Sequence, residues 1–396
     1  MTAETPVAEL PSTLSADPLA TTAPLVGEPP ALRWTRCGVI VGVGVLALML
    51  PFLASRFWLN VAVFIVIAAI GGLGLNVLSG YTGQVSLGHA FFLAIGAYTG
   101  AVLGGDHNVD ALLWLPAAGL AAGLAGLLVG PTALRLRGLY LSLVTIGLVF
   151  IGQHIWSNVY WLAGGPAGKQ FPALVVGGLD TSHQQVIAGT ALSTDAMVFY
   201  VAAIILAASM LFVHNLARTR LGRAMQAIRE REIAAAMMGV DLARTKLSAF
   251  VISSFITGLA GGLYGVALGY AVPSTWDLVL SIQFVAIIIV GGVGTVWGAL
   301  LGAAFIGALP KILDQYADKL PLIHSGASGS GVAAGDAASI LYGLLIVLFL
   351  VFEPHGVMGL VGRVWRALTR RLAGTTTAPP GTPAARTSTA EEETTA

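Results

Sequence analysis

A cluster of polar side chains interrupts an otherwise apolar stretch between residues 76 and 89. Its members are Asn76, Ser79, Tyr81, Thr82, Gln84, Ser86 and His89. These groups donate and accept hydrogen bonds, which suits a surface that passes a polar solute. Gly80 and Gly83 interrupt the stretch, and non-helical backbone at membrane depth persists only where protein or a wet cavity surrounds it. Two interpretations stay open: a broken segment beside a solute path, or a packed turn between two spans.

Three further polar residues are candidates for the same path: Tyr140 and Thr145 on a later apolar stretch, and Gln283 on another. Acidic side chains are scarce inside the apolar stretches, whereas proton-coupled pumps normally use intramembrane Asp or Glu. The pattern therefore favours a hydrogen-bonding lining over a proton-driven pump. The positions expected to break helices or to let them pack closely are Gly80, Gly83, Gly291, Gly292 and Gly294.

No catalytic group accompanies these residues. Gly168-Lys169-Gln170 superficially resembles a phosphate-binding loop, but it lacks the glycine five residues before Gly168 and the Ser or Thr after the lysine. The seven histidines show no metal-ligand spacing. We therefore expect no enzyme activity, and no cofactor or metal bound directly by this chain.

Composition places these residues in a membrane protein. The chain is 56% hydrophobic and 10% charged, against about 25% charged residues in soluble domains. The predicted fold class is all-α: a polytopic transmembrane helical bundle of about ten spans, including broken or half-length helices. The predicted spans are 38–54, 57–78, 85–103, 112–130, 139–156, 196–213, 247–270, 278–293, 297–312 and 340–352. The residues 278–312 could form two short spans or one long broken helix.

The distribution of basic residues predicts the orientation. If the first span starts inside, sixteen of the 20 Lys and Arg residues fall in cytoplasmic loops and tails, as the positive-inside rule requires. Both termini are therefore predicted to be cytoplasmic. A disordered tail over 1–36 would precede a permease domain over 37–362, and a basic, low-complexity tail over 363–396 would follow it. Two longer loops, over 157–195 and 311–339, would face outside, either as contact surfaces or as irregular decoration.

The long polar loop over 215–246 lies between two apolar stretches. Its seven basic residues would each cost about 2.5–3.5 kcal/mol at a bilayer centre, so the loop must lie in water, on the cytoplasmic side. The part over 222–239 contains neither proline nor internal glycine and is predicted to be a helix. An apolar stripe along it is predicted from Leu221, Met225, Ile228, Ala235 and Met238. The loop could dock on a partner, or it could be a solvated connector with a basic patch for lipid headgroups.

Several motifs, taken in order, resemble the permeases of branched-chain amino acid ABC importers, in particular their LivM-like branch. The first is GLNVLSGYTGQVSLGHAFF, which begins at Gly74 and is followed by IGAY at Ile95. The next are RGLY at Arg137 and GRA at Gly222, followed by AIREREIAA at Ala227. The remaining ones are KLSAF at Lys246, GLAGGLY at Gly258, the glycines around 291–302 and PHG at Pro354.

This resemblance implies that the loop over 215–246 is the coupling loop that docks into a cytoplasmic ATPase. The coupling residues it suggests are Arg223, Ile228, Glu230, Glu232, Ala235, Met238 and Gly239, while Ala236 departs from an acidic position of the family. It also implies a second homologous permease, two ABC ATPases that use ATP and Mg²⁺, and an extracytoplasmic solute-binding protein. The chain would lie in a bacterial plasma membrane and work by alternating access.

The solute is left open by the sequence. The resemblance implies leucine, isoleucine and valine, while urea or short-chain amides are the alternative within the same permease role. A different class of function, a stand-alone passive channel or carrier, would need neither ATP nor partners.

Overall fold

The computed structural model describes residues 44, 49–135, 138–171, 174–176, 179–180, 185–187, 190–316, 323–324, 332–353 and 356–363. The predicted tail over 1–36 lies outside these residues, as do the predicted tail over 363–396 apart from Arg363 and most of the first predicted span. The chain divides into two compact units, Met1–Ala54 and Ser55–Ala396. In the first unit, residues 49–53 are helical. The description below concerns the second unit.

The second unit is built mainly from helices. The α-helices are α1 (Arg56–Leu75), α2 (His89–Gly100), α3 (Ala111–Arg135), α4 (Leu139–Asn158), α5 (Tyr160–Ala163), α6 (Thr194–Arg218), α7 (Arg220–Glu230), α8 (Glu232–Met237), α9 (Leu242–Leu268), α10 (Leu278–Gly291), α11 (Val296–Ile306), α12 (Leu309–Tyr316) and α13 (Ala334–Phe352). Residues 356–363 are also helical. Two π-helical segments, Asn76–Tyr81 and Ala101–Asp106, continue α1 and α2, and Gly165–Ala167 and Pro273–Thr275 are 3₁₀ turns.

The predicted fold class is confirmed, but the span count differs. Seven helices in the described residues are long and apolar enough to cross a bilayer, and an eighth results if Asp336–Phe352 and Gly356–Arg363, bent by 45°, form one span. The predicted span over 85–103 began too early, because α2 begins only at His89, and its π-helical continuation carries it past the predicted end to Asp106. Irregular chain takes the place of its first turn.

Close backbone contact holds α2, α3 and α9 together. A side chain at Gly96 of α2 would overlap the carbonyl oxygen of Gly258 in α9, and one at Gly261 would overlap that of Leu93. Gly258 in turn faces Gly119 and Ala122 of α3. Small residues of this kind let helices approach closely in lipid, where the hydrophobic effect does not drive association. The middle of α9 is accordingly the centre of the bundle.

The stretch over 278–312 forms separate elements. The chain leaves α10 at Gly292, where φ is +118°, and re-enters helix at Val296. Gly291 lies against the backbone of Gly298, and Gly302 against that of Ile287, so α10 and α11 run antiparallel in contact. Of the two alternatives that the sequence allowed, two short helices folded back on each other is the one observed.

Short strands gather at the end of the bundle away from residues 219–241. They are β1 (Lys169–Gln170), β2 (Val175–Val176), β3 (Leu179–Asp180), β4 (Gln185–Ile187), β5 (Thr190–Leu192), β6 (Tyr270–Ala271), β7 (Ile323–His324) and β8 (Val332–Ala333). The pairs β1–β6, β2–β3 and β4–β5 are antiparallel, with Lys169 opposite Ala271, and β7–β8 is parallel. Lys169 also pairs with Asp106. The predicted loop over 311–339 was too wide, because α12 extends to Tyr316 and α13 begins at Ala334.

Candidate functional site

The polar cluster found in the sequence forms a buried break between α1 and α2. After the π-helical segment the chain is irregular from Gly83 to Ser86, with φ at +70° in Gly83. The hydroxyl of Ser79 donates to the carbonyl of Gln84 at 2.9 Å, and that of Thr82 donates to the carbonyl of Leu78 at 2.6 Å. Side chains thus take over hydrogen bonds that the helix no longer makes, as buried backbone requires.

Two hydroxyls of α4 hydrogen-bond to the irregular segment over 83–88 and hold it in place. Ser142 donates to the carbonyl of Val85 at 3.1 Å, and the Thr145 hydroxyl accepts from the amide of Leu87 at 3.0 Å. At the start of α2, the Ser281 hydroxyl on α10 accepts from the amide of Ala90 at 3.0 Å. The segment is therefore bound to two separate helices by directional contacts.

His89 lies inside the protein and packs against its neighbours. Its ring centroid is 4.7 Å from that of Phe284, and both ring nitrogens are 3.5 Å from the Thr257 hydroxyl, which donates to the carbonyl of Ser253. The described residues contain no group of three His, Cys, Asp or Glu that could hold a metal ion. His89 is therefore a packed residue at the start of α2.

Asn76 connects the first break to the second. Its amide nitrogen donates to the carbonyl of Thr295 at 3.0 Å, and its amide oxygen accepts from the N–H of Gly294 at 2.8 Å. Asn76 is fully buried, so both of its contacts replace hydrogen bonds to water. One side chain thereby joins the end of α1 to the turn between α10 and α11.

The remaining path candidates are not all brought to this place. Tyr81, Gln84 and Ser86 are buried with the cluster, and the Gln84 amide nitrogen lacks a hydrogen-bond partner. Tyr140 is 69% exposed and Gln283 is half-buried.

A cavity between α1, α6 and α9 lies elsewhere and contains none of the candidates. It is lined by Asn60, Val63, Phe171, Leu174, Thr194, Asp195, Val198, Val266, Ala267 and Gly269. The polar residues therefore form a hydrogen-bonded junction in this conformation.

The loop after α6 folds into two short helices. The Thr219 hydroxyl caps α7 by accepting from the Gly222 amide at 3.2 Å. The predicted continuous helix over 222–239 was wrong, because Arg231 adopts an extended conformation and separates α7 from α8. The predicted stripe is divided: Met225, Ile228 and Ala235 are buried within the protein, on both sides of the bend, whereas Met238 is exposed. Leu221, at the start of the stripe, is half-buried. The sequence did not show this division because apolar spacing alone does not tell which helix face meets the bundle.

Three apolar side chains remain outside at the tip formed by α8 and the following turn. Ile233, Met237 and Met238 are 73%, 83% and 85% exposed. The turn closes at Gly239, where φ is +84°. We call Ile233, Met237 and Met238 the apolar tip. Of the other residues suggested for coupling, Arg223 and Glu230 are exposed on α7.

Two charged residues tie the loop to the bundle. Glu232 pairs with Lys246 of α9 at 2.7 Å, and the lysine side chain is only 9% exposed. Arg229 donates through Nη1 to the carbonyl of Gly80, at the end of the π-helical segment. Glu232 thus contributes to the internal structure of the loop, and α7 and α8 are held to the protein on both sides of Arg231.

Comparison with known proteins places the sequence of this chain in a family. A family model described as "Branched-chain amino acid transport system / permease component" matches residues 57–350. The chain belongs to this family. It is similar to LivM of Escherichia coli, a high-affinity branched-chain amino acid transport permease, with 33% identity over 81% of this chain and 74% of LivM. It is also similar to a probable LivH permease of Methanocaldococcus jannaschii, with 31% identity over 39% and 45% of the two chains. A third relative, the autoinducer 2 import permease LsrC of Enterobacter sp., is 26% identical over 66% and 65%.

The chain is thus a multi-pass membrane permease of the ABC type, with apolar helices that match this role. Sequence analysis missed several residues that hydrogen-bond to the polar cluster or its backbone, notably Arg229, Ser281 and Thr295. Arg229 is one of seven basic residues in its loop, and nothing in the sequence marks it out. Ser281 gave a weak signal as a polar residue within an apolar stretch.

Proposed function

We propose that this permease imports branched-chain amino acids and is driven by cytoplasmic ABC ATPases that dock on the apolar tip. The tip is the observation that carries the proposal. Isolated apolar residues on a surface are normal, but this group is contiguous and stands on a short, firmly anchored helix. Burying a side chain such as Ile or Met stabilises a complex by about 1.5–3 kcal/mol. Three of them would contribute about 4.5–9 kcal/mol to the contact, before the cost of association.

The drive for transport then comes from the partners. The chain has no phosphate-binding loop, and scarce intramembrane acids argue against coupling to protons. ATP and Mg²⁺ would bind to the partner ATPases, whose closure displaces α7 and α8. The loop over 215–246 would face the cytoplasm of a bacterial cell, with both termini on the same side, as the basic residues indicate.

Two further partners complete the proposed assembly. A second homologous permease would cover part of the apolar surface, and a solute-binding protein would deliver solute at the opposite end. The short strands β1 and β6 and the Lys169–Asp106 pair form a structured surface at that end. Strand-paired segments keep a defined shape, which a recognition surface needs.

Branched-chain amino acids are the solute class that the LivM name supports. The similarity to LsrC, named for autoinducer 2 import, means that one scaffold serves more than one solute class. The solute-binding protein would therefore decide the solute, and a binding assay on that protein with leucine, isoleucine, valine and urea distinguishes the candidates.

Reconstitution tests the proposal. The permease is purified with its partner permease and ATPases, placed in proteoliposomes with the binding protein, and supplied with radiolabelled leucine. We expect uptake only with ATP, and no ATP hydrolysis by the isolated chain. Leucine uptake by the chain alone would instead establish a stand-alone carrier.

A triple variant tests the docking surface itself. Ile233→Ser, Met237→Ser and Met238→Ser together should weaken ATPase binding by about a hundredfold or more, since even 3 kcal/mol is worth that factor. Folding should be unchanged because all three side chains are exposed. Gln226→Ala, at an exposed polar position of α7, is the matched control and should assemble normally. Unchanged assembly of the triple variant would refute docking at the tip.

A further inference from the structure

The end of α1 has a backbone carbonyl for which the break leaves no helical partner. The last carbonyls of a helix lack intrahelical donors. Here the amides of both Thr82 and Gln84 turn to the carbonyl of Leu78, while the Gly80 carbonyl receives Arg229 from α7. A cation at the C-terminal end of a helix is also favoured by the helix dipole. The contact is therefore a charge-assisted hydrogen bond at a site that calls for one.

The same guanidinium group lies against the second break. A side chain at Gly294, where φ is +88°, would overlap Arg229 Nη1. A side chain at Gly80 would approach the Gly294 nitrogen to 2.8 Å and overlap the Asn76 amide. Arg229 and Asn76 therefore both contact the two breaks: Asn76 by hydrogen bonds to the second break, and Arg229 by a hydrogen bond to the first and close approach to the second. We call Asn76, Gly80, Arg229, Gly294 and Thr295 the coupling junction.

From this geometry we propose that Arg229 is the positioning residue that transmits movement of α7 to both broken helices. The inference rests on the proposed function, because it needs an ATPase that moves α7. The buried side chains of Met225 and Ile228 also anchor α7, but only along one face of the helix, and apolar packing is not directional as a hydrogen bond is. Arg229 reaches beyond that face: it donates to the backbone near the end of the π-helical segment after α1 and lies against Gly294, where α10 turns into α11. Displacing α7 then displaces both breaks together.

The decisive experiment separates assembly from coupling. Arg229→Gln, Arg229→Lys and the matched control Arg220→Gln, an exposed arginine on the same helix, are each purified with the partner ATPases. Three quantities are measured: ATPases retained, ATP hydrolysed, and leucine taken up per ATP. For Arg229→Gln we expect assembly and hydrolysis within twofold of wild type, and uptake per ATP at least tenfold lower.

The other variants sharpen the interpretation. Arg229→Lys should recover part of the uptake because an ammonium group can still donate to the Gly80 carbonyl, and Arg220→Gln should behave as wild type. Uptake per ATP within twofold of wild type in Arg229→Gln would overturn the inference while leaving the proposed function intact. A wild-type complex that shows no ATP-driven uptake would overturn the proposed function itself.

A covalent link provides a second test that does not depend on one substitution. A Cβ at Gly83 would lie 3.8 Å from that of Arg229, within the range of a disulfide, although the φ of +70° at Gly83 strains any side chain placed there. Gly83→Cys and Arg229→Cys are combined with Cys37→Ser, which removes the native cysteine. Oxidation by copper phenanthroline forms the link, and we expect it to raise uptake per ATP at least fivefold over the reduced protein. Gly83→Cys alone should not respond, and an oxidised double variant that stays uncoupled would contradict the inference.

Discussion

The packed core of α2, α3 and α9 and the coupling junction are held by different kinds of contact. In the core, glycines bring helix backbones together, as at Gly96 and Gly258. In the junction, side chains reach across breaks through hydrogen bonds, as Asn76 does to Gly294 and Thr295. Close packing allows little adjustment, whereas a hydrogen bond can be broken and remade at a small net cost. A transporter that changes conformation needs both kinds of contact. We infer that the packed core of α2, α3 and α9 is the rigid part, which we call the frame.

The largest effect is expected in the frame. Gly96→Val should destabilise the protein by roughly 3–5 kcal/mol, since the new side chain would overlap the Gly258 carbonyl and neither backbone can yield cheaply. The measurement is the melting temperature and the monodisperse yield in detergent. Gly147→Ala on α4 is the control, because nothing lies within 4 Å of its Cβ. A Gly96→Val protein that melts like wild type would remove the basis for the comparison.

Next in size is the loss of the junction bridge. Asn76→Leu keeps the branched shape of the side chain but leaves the half-buried Gly294 amide without its partner, at a cost of about 1–3 kcal/mol, and leaves the Thr295 carbonyl only the bond from the Ala299 amide. We expect the complex to assemble while leucine uptake falls at least tenfold. Ser79→Ala, which removes a bond within the segment, should reduce uptake less. Equal uptake in wild type and Asn76→Leu would show that the bridge does not serve transport.

A smaller effect is expected where the loop joins α9. Lys246→Met removes the ion pair with Glu232 and should loosen α8 by roughly 1–2 kcal/mol, seen as faster tryptic cleavage at Arg231. Arg244→Met is the control, because its pair with Asp241 is largely exposed and such pairs contribute less than about 1 kcal/mol. If both variants were cleaved at the same rate, the Glu232–Lys246 pair would have no special role.

The smallest effect is expected at the exposed face of α8. Ala236→Glu restores the acidic residue that the family resemblance suggests, beside Met237 of the tip. Stability should change by less than about 0.5 kcal/mol, as is usual for surface positions. ATPase affinity is measured by titration at low and high salt. It should change by less than about threefold at either, and the change should be larger at low salt, where charges are screened less. A large loss of affinity at both salt concentrations would place Ala236 inside the interface.

Much of the fold could be predicted from composition and periodicity. The apolar runs located α3, α6 and α9, because about 20 apolar residues without charge have few alternatives to a membrane helix. The late start of α2 was missed, since the sequence VSLG at 85–88 is compatible with a helix until the bonds of its backbone to α4 are known. The pairing of α10 with α11 could not be predicted, because a glycine run permits a kink or a complete reversal.

The site was predictable in location more than in detail. The polar residues over 76–89 do gather, and the break is real, because their hydrogen bonds replace those of the helix. The sequence did not predict which apolar residues of the loop face the protein, since Met225 and Met238 look alike in sequence but Met225 is buried and Met238 is exposed. The contact of Arg229 with Gly80 joins residues 149 positions apart, and only the fold reveals it.

Site-specific photo-crosslinking in the assembled complex tests the docking tip most directly. A photoreactive residue is placed at Met238, on the exposed tip, and in a second protein at Met225, which is fully buried. We predict that Met238 forms an adduct with an ABC ATPase, while Met225 gives adducts only within its own chain. A Met238 probe that forms adducts only with lipid would contradict the assignment of this loop as the site where the ABC ATPase docks.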